Sequence, residues 1–193
     1  GFTNKEGNRA YVQIENKARQ SLEQLAREAR YSAFAAHLMA NSVVLTGHHQ
    51  EDQLETFLLR LSRGSGSKGL SSMAAVAPLP IAKSNNSILI ARPLLEYSKQ
   101  SIRNYAEHHF HNWIEEESNQ SIEFDRNYLR HKVAPLLAER WPHYSQAVST
   151  TTSILAQESS LLAEYLMADL QTLTVSGVCG LTGLDLDGWQ SMS

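Results

Sequence analysis

The chain has 193 residues, 42% hydrophobic and 19% charged, with a formal net charge of −3. These values describe a soluble globular chain with a real core, sized for one good domain or two small ones. No apolar run reaches the roughly 18 residues of a membrane helix, GFTNKEGNRAYVQIE is not built like a signal peptide, and the lone Cys179 excludes an internal disulfide framework or cysteine-rich zinc site.

A cytoplasmic location is therefore the default expectation. Residues 1–140 hold all 17 Lys and Arg against 15 acids, whereas residues 141–193 hold five acids and no Lys or Arg. A nucleic-acid partner is therefore expected to contact the first part, although so small an excess does not by itself argue for one.

Residues 11–40 contain no Gly or Pro, and Ile14, Ala18, Leu22, Leu25 and Ala29 recur at helical spacing. This pattern predicts one long amphipathic helix or a broken pair. The β-branched run 42–46, stopped by Gly47, reads as a buried strand. A helix is expected from Gln50 to Ser62, with Leu54, Phe57, Leu58 and Leu61 as its apolar stripe and Gly64 just past its end. RGSGSKGLSS, Arg63 to Ser72, reads as a loop.

A second strand is expected over Ile88–Ala91, stopped by Pro93. Ser98 is expected to cap a helix that runs to about His108. Asp125 is expected to cap another, kinked or ended by Pro135. Tyr144, Val148, Leu155, Leu162 and Leu166 mark a last long helix to roughly Leu170. Strands alternating with helices up to about residue 115 favour an α/β layer with parallel strands, followed by helices.

The stretch TGHHQEDQLET, Thr46 to Thr56, carries the densest chemistry. His48, Asp52 and Glu55 are spaced to share one helix face, at the carboxyl end of a strand, where open α/β sheets bind their ligands. A carboxylate pair there can hold Mg²⁺ or accept hydrogen bonds from an ammonium group. Acids in a first helical turn also simply complement the helix dipole, and Glu51, Asp52 and Glu55 fit that reading equally well. HHxxD lacks the HExxH spacing of a zinc site.

RGSGSKGL is no Walker motif, but its backbone N–H groups, Arg63 and Lys68 are able to face phosphates; a plain surface loop is the alternative. Arg126 and Arg130, one turn apart beside Asn127, suit a phosphate or carboxylate clamp, or else pair with Glu115–Glu117.

Four stretches together resemble the tRNA(Ile)-lysidine synthetases of the N-type ATP-pyrophosphatase, or PP-loop, group. They are AREARYSAF (Ala26 to Phe34), TGHHQEDQLETFLLRLSRGSGSKGLSSM (Thr46 to Met73), RPLL (Arg92 to Leu95) and WIEEESNQSIEFDRNYLRHKVAPLL (Trp113 to Leu137). The resemblance implies the rear part of an adenine-nucleotide α-hydrolase-like parallel-sheet domain over residues 1–142, a linker helix over 143–170 and the start of a central substrate-binding domain over 171–193.

It further implies a ligase using ATP and Mg²⁺. ATP adenylates the C2 oxygen of the wobble cytidine of an isoleucine tRNA with a CAU anticodon, and free lysine then displaces AMP to form lysidine. On the family's pattern, Asp52 and Glu55 look like the lysine or Mg²⁺ seat, with Asp52 the possible metal ligand, and His48, counted with them as catalytic, matches a further polar position that looks like a nucleotide or tRNA contact. Arg27, Arg63, Arg126, Asn127 and Arg130 look like nucleotide or tRNA contacts.

Two features depart from the family pattern. Nothing in residues 1–41 matches its SGGxDS-type ATP loop, and Glu51 stands where Asp is frequent. The ending GLDLDGWQSMS resembles a first strand of the family's next domain, so the chain reads as an interior portion that would not turn over ATP by itself. Three other readings compete: a tRNA thiolase, which generally needs paired cysteines; an RNA-binding helical module, which needs a concentrated basic surface; and a metallohydrolase built on HHxxD.

Overall fold

The structure is a computed structural model that describes residues 2–3, 9–10, 22–80, 88–109, 113, 122–176 and 182–184. Strands β1 (Phe2–Thr3) and β2 (Arg9–Ala10) form a small antiparallel pair. Helix α1 spans Leu22–His37, so of the apolar positions expected to make a helix from residue 11, Ile14 and Ala18 lie outside the described residues.

Strand β3 (Val43–Leu45) pairs in parallel with β5 (Leu89–Ala91), as the α/β reading required. The sequence reading did not contain β4 (Val76–Pro78), which pairs antiparallel to β5 and makes the order β3-β5-β4. Its terminal proline is tolerated because β4 is an edge strand, where a missing N–H breaks no ladder.

The alternation of side chains divides this sheet sharply. Val44 and Ile90 point to one face and pack with Tyr31 of α1, Leu79 and Ile88; Phe34, Leu38 and Ala77 join from the periphery. On the other face Val43, Leu45 and Val76 are 52%, 72% and 57% exposed, so no described element covers it.

Helix α2 spans Gln50–Ser62, as expected. Its burial is not a simple stripe: Gln53, Leu54, Glu55 and Thr56 are all buried, while Leu61 is exposed. Four consecutive buried residues require cover on every side, and α2 packs against α3 (Ser67–Leu70), α5 (Asp125–Tyr128) and α7 (Tyr144–Leu173). Gly64 follows the helix at φ +69°, the left-handed turn that glycine accepts without strain.

The stretch read as a loop, residues 63–72, instead contains α3, because the N–H groups of Leu70 and Ser71 turn back to the carbonyls of Gly66 and Ser67. It is strapped from below. The Gln53 amide pairs with both Met73 backbone groups at 2.9 Å, and Arg60 Nη1 donates to the Gly69 and Ser72 carbonyls. The arginine that organises this segment's carbonyls is therefore Arg60, and its helical N–H groups are partly spent internally.

Helix α4 (Lys99–His108) is capped by Ser98, whose Oγ accepts the Ser101 N–H. Asp125 does not cap α5. Phe124 holds the cap position and Asp125 is the first residue inside the helix. A π-helical turn, Leu129–Val133, then leads into α6 (Ala134–Arg140), with the Ala134 N–H reaching the Leu129 carbonyl. Pro135 has no N–H to return to His131, and the widened turn before it keeps the helix going where a break or kink was expected.

The first half of α7 carries its partly buried positions and Thr152, which is 2% exposed; Ser160 to Thr172 are exposed throughout. Strands β6 (Thr174–Ser176) and β7 (Thr182–Leu184) close the described chain as an antiparallel pair. Among the described residues no helix is long and apolar enough to cross a membrane.

Candidate functional site

Because β3 and β5 are parallel, their carboxyl ends lie side by side. The Thr46 N–H donates to the Ala91 carbonyl at 3.0 Å, which brings Thr46–His49 beside Arg92. Arg92 is 7% exposed and donates from Nη1 to the Ala74 carbonyl. This is the strand-end position where α/β sheets gather polar groups.

His48 does not share a helix face with Asp52, since α2 begins only at Gln50, with His49 in the cap position. What orients His48 is Thr46, whose Oγ1 lies 2.8 Å from Nδ1. Burial holds the His48 imidazole below its ordinary value. Asp52 opposes that effect, and Arg92, Arg126 and Arg27 reinforce it.

Asp52 starts its helix and also faces a guanidinium. Its Oδ2 accepts the His49 backbone N–H at 2.9 Å, an ordinary helix-start contact, while Oδ1 lies 3.4 Å from Arg130 Nη2. Glu55, one turn on, has no capping role. It is 2% exposed, its Oε1 accepts Arg130 Nε at 2.8 Å, and its Oε2 has no hydrogen-bond partner among the described residues. Burial pushes the Glu55 carboxyl above its ordinary value in spite of Arg130. A buried carboxylate oxygen without a donor is costly, which marks this atom as a place for a cationic or N–H ligand.

Arg130 thus pairs with carboxylates of α2, and Arg126 acts on Glu55 from the same side of the charge balance. The alternative pairing with Glu115–Glu117 lies outside the described residues. Glu51 belongs to the framework: its Oε2 accepts the Lys99 N–H at 2.9 Å and lies 2.9 Å from His49 Nδ1. Burial alone would raise the Glu51 carboxyl, but these contacts outweigh it and hold the group below its ordinary value. With Gln50 N–H donating to the Tyr97 carbonyl, Glu51 fastens the start of α4 to the start of α2.

A cleft of about 590 Å³ opens between α1, the end of α2 and the start of α5. Arg27, Arg63 and Arg126 line it, interspersed with the carboxylates of Glu28, Glu123 and Asp125. Arg27 lies 5.5 Å over the Tyr31 ring, and Arg63 makes an exposed pair with Asp125 at 3.8 Å. Asn127 is buried at the head of the same helix. The geometry therefore brings Asp52, Glu55 and Arg130 into contact, surrounds His48 with charge, and gathers Arg27, Arg63 and Arg126 on one cleft.

Thr46, Arg60, Arg92 and Gln53 were not singled out from the sequence as working residues. All four sat inside quoted motifs, but nothing in their spacing tells which groups they reach.

The donor set does not suit a magnesium ion at Asp52. Mg²⁺ asks for free carboxylate oxygens in an octahedral shell, whereas one Asp52 oxygen is tied to a backbone N–H and the other faces a guanidinium. No group of three potential metal ligands exists among the described residues.

The profile of the PP-loop domain matches residues 6–137. A tRNA(Ile)-lysidine synthase of Vibrio cholerae is 46% identical over 168 residues, which is 86% of this chain and 37% of that protein. The synthase of Serratia proteamaculans is 47% identical over 163 residues, covering 84% and 36%. That of Yersinia pseudotuberculosis is 48% identical over 152 residues, covering 79% and 32%. The chain thus spans about a third of the length of these relatives. On the match over residues 6–137, the chain belongs to the PP-loop domain family.

Proposed function

We propose that this chain is the carboxylate-bearing part of a tRNA(Ile)-lysidine synthetase, acting in the cytoplasm on an isoleucine tRNA with a CAU anticodon. ATP adenylates the C2 oxygen of the wobble cytidine, releasing pyrophosphate. The side-chain amine of lysine then attacks C2, the C2–O bond breaks, and AMP leaves. The observation that carries the reading is Glu55, buried yet holding one oxygen without a donor, beside Asp52 and at the carboxyl ends of parallel strands.

An ammonium group of lysine supplies the missing donor at Glu55 Oε2 and an ion pair to Asp52 Oδ1. Arg130 neutralises part of the negative charge and holds Glu55 in one rotamer. The cleft with Arg27, Arg63 and Arg126 suits phosphate oxygens of the nucleotide or of the tRNA. Magnesium accompanies ATP in such chemistry, but the engaged oxygens of Asp52 do not fit it.

The metallohydrolase reading finds no ligand cluster among the described residues, and the thiolase reading lacks its cysteine pair.

The test uses a polypeptide of the relatives' length carrying this sequence, assayed for lysine incorporation into the tRNA. Asp52→Asn and Glu55→Gln should each abolish incorporation with the fold intact. Full incorporation by Glu55→Gln would refute the proposal.

A further inference from the structure

We propose that the outer face of the helical run from Asp125 to Arg140, with Trp141 at its end, is a contact surface for unpaired RNA. Under the reading above, on which the choice of RNA rests, that RNA is a stretch of the tRNA flanking the wobble cytidine.

Tyr128, Lys132, Leu136 and Arg140 recur every four residues through α5, the π-turn and α6, and all four are exposed. Arg130 stands two positions from both Tyr128 and Lys132 and reaches the other way, to Glu55. One side of this run therefore holds the carboxylates of α2, and the opposite side faces solvent. A helix is about 10–12 Å across, so RNA lying on the outer side is beside the reacting nucleotide and not at it.

Lys132 and Arg140 make no ion pair among the described residues, and Glu139 is the one carboxylate between positions 128 and 143. Asp125, farther back, faces Arg63. Two unpaired cations on a chain of net charge −3 suit an anionic partner.

Trp141 is 58% exposed, although tryptophan is on average a well-buried residue. Its backbone is fixed on both sides: the N–H donates to the Leu137 carbonyl at 2.8 Å, and the carbonyl accepts the Tyr144 N–H at 3.0 Å. Pro142 behind it keeps the residue out of the helix, at φ −134° and ψ 86°. The indole thus stands on a fixed base at the joint of α6 and α7, and the exposed Tyr128 ring marks the other end of the stripe. Rings at the ends with cations between them match a strand whose bases stack and whose phosphates run alongside. A second copy of this chain seated on the same face would set Lys132 and Arg140 against their own like.

The test titrates the 193-residue chain into a labelled anticodon stem-loop with a CAU loop, read by fluorescence anisotropy at several salt concentrations. Trp141→Ala should weaken binding about 5- to 150-fold, as loss of one stacked base implies, and Trp141→Phe should recover most of it. Lys132→Ala combined with Arg140→Ala should flatten the slope of log K against log salt by about 1 to 2, a readout that a purely structural role would leave alone. An unrelated single-stranded RNA should respond to the same variants in the same way, because stacking and phosphate contacts tolerate sequence.

No saturable binding by the wild type, unchanged affinity in Trp141→Ala, or an unchanged salt slope in the double variant overturns the inference. So does a wild-type dimer in sedimentation that Trp141→Ala dissociates, since the face is then a contact between copies. If Trp141→Ala does not fold, the salt slope decides. A failed lysine assay with these binding results intact refutes the proposed ligation and leaves the RNA surface standing. Lysine incorporation with RNA affinity indifferent to these variants does the reverse.

Discussion

Glu51 and Glu55 lie one helical turn apart and respond oppositely to their surroundings. Glu51 is held below its ordinary value of 4.5, so its stabilising contribution is present above that value and fades as pH falls through the lower folded value. Glu55 is raised, so its contribution is present below 4.5 and lost as pH rises through the higher folded value.

Thermal melts should therefore show Glu51→Gln destabilised near pH 7 by about 1 kcal/mol, or about 2–4 °C, with the difference vanishing in acid. Glu55→Gln should match the wild type in acid and gain on it as pH rises. The same sign for both differences would contradict the burial argument. On activity the order reverses. If the proposed ligation is right, Asp52→Asn and Glu55→Gln in the polypeptide of the relatives' length should each cost about 30- to 1000-fold in kcat/KM for lysine, since a charged hydrogen-bond partner contributes about 2–4 kcal/mol. Glu51→Gln should cost far less, because its oxygen is committed to the Lys99 N–H.

Among the elements, α2 is the organiser. One of its faces bears Asp52 and Glu55, and the same helix sends Gln53 and Arg60 to hold the segment around α3. Gln53→Ala would leave the buried Met73 N–H and carbonyl unpaired, and should lower unfolding stability by about 2–4 kcal/mol in urea titrations. Gly69→Ala should also destabilise this segment, because an added Cβ would fall 2.6 Å from the Ser65 Cβ. The π-turn at Leu129–Val133 is the second such device, since Arg130 sits within it and reaches across to α2.

Across the whole described molecule, cover is uneven. The first half of α7 packs on α2 and α3, whereas Leu162, Tyr165 and Leu166 farther along are 58%, 64% and 58% exposed. Amide hydrogen exchange on the 193-residue chain should therefore be slowest in α2 and in α7 before residue 160, and markedly faster over residues 160–172. Uniform protection along α7 would contradict that division.

Several features were legible in the residues alone. The limits of α2 and the Ser98 cap followed from period and punctuation, because each depends on neighbours a few positions away, and the parallel pairing of 43–45 with 89–91 followed from the alternation of strands with helices. Distant partners decided the rest. Whether Asp52 does more than start its helix depended on where Arg130 arrived from 78 positions away: one oxygen accepts the His49 N–H and the other faces that guanidinium. His48 left the helix face because the chain needs an extended residue to leave β3 before α2 can start. Strand β4, the turn of helix inside a Gly- and Ser-rich stretch, and the four-sided burial of α2 came from packing, which no local spacing encodes. Residue types and their order determined which chemistry this chain can carry; the meeting of β3, β5, α2 and the π-turn decided which atoms carry it, because hydrogen bonds at 2.8 Å are satisfied by position in space and not by position in sequence.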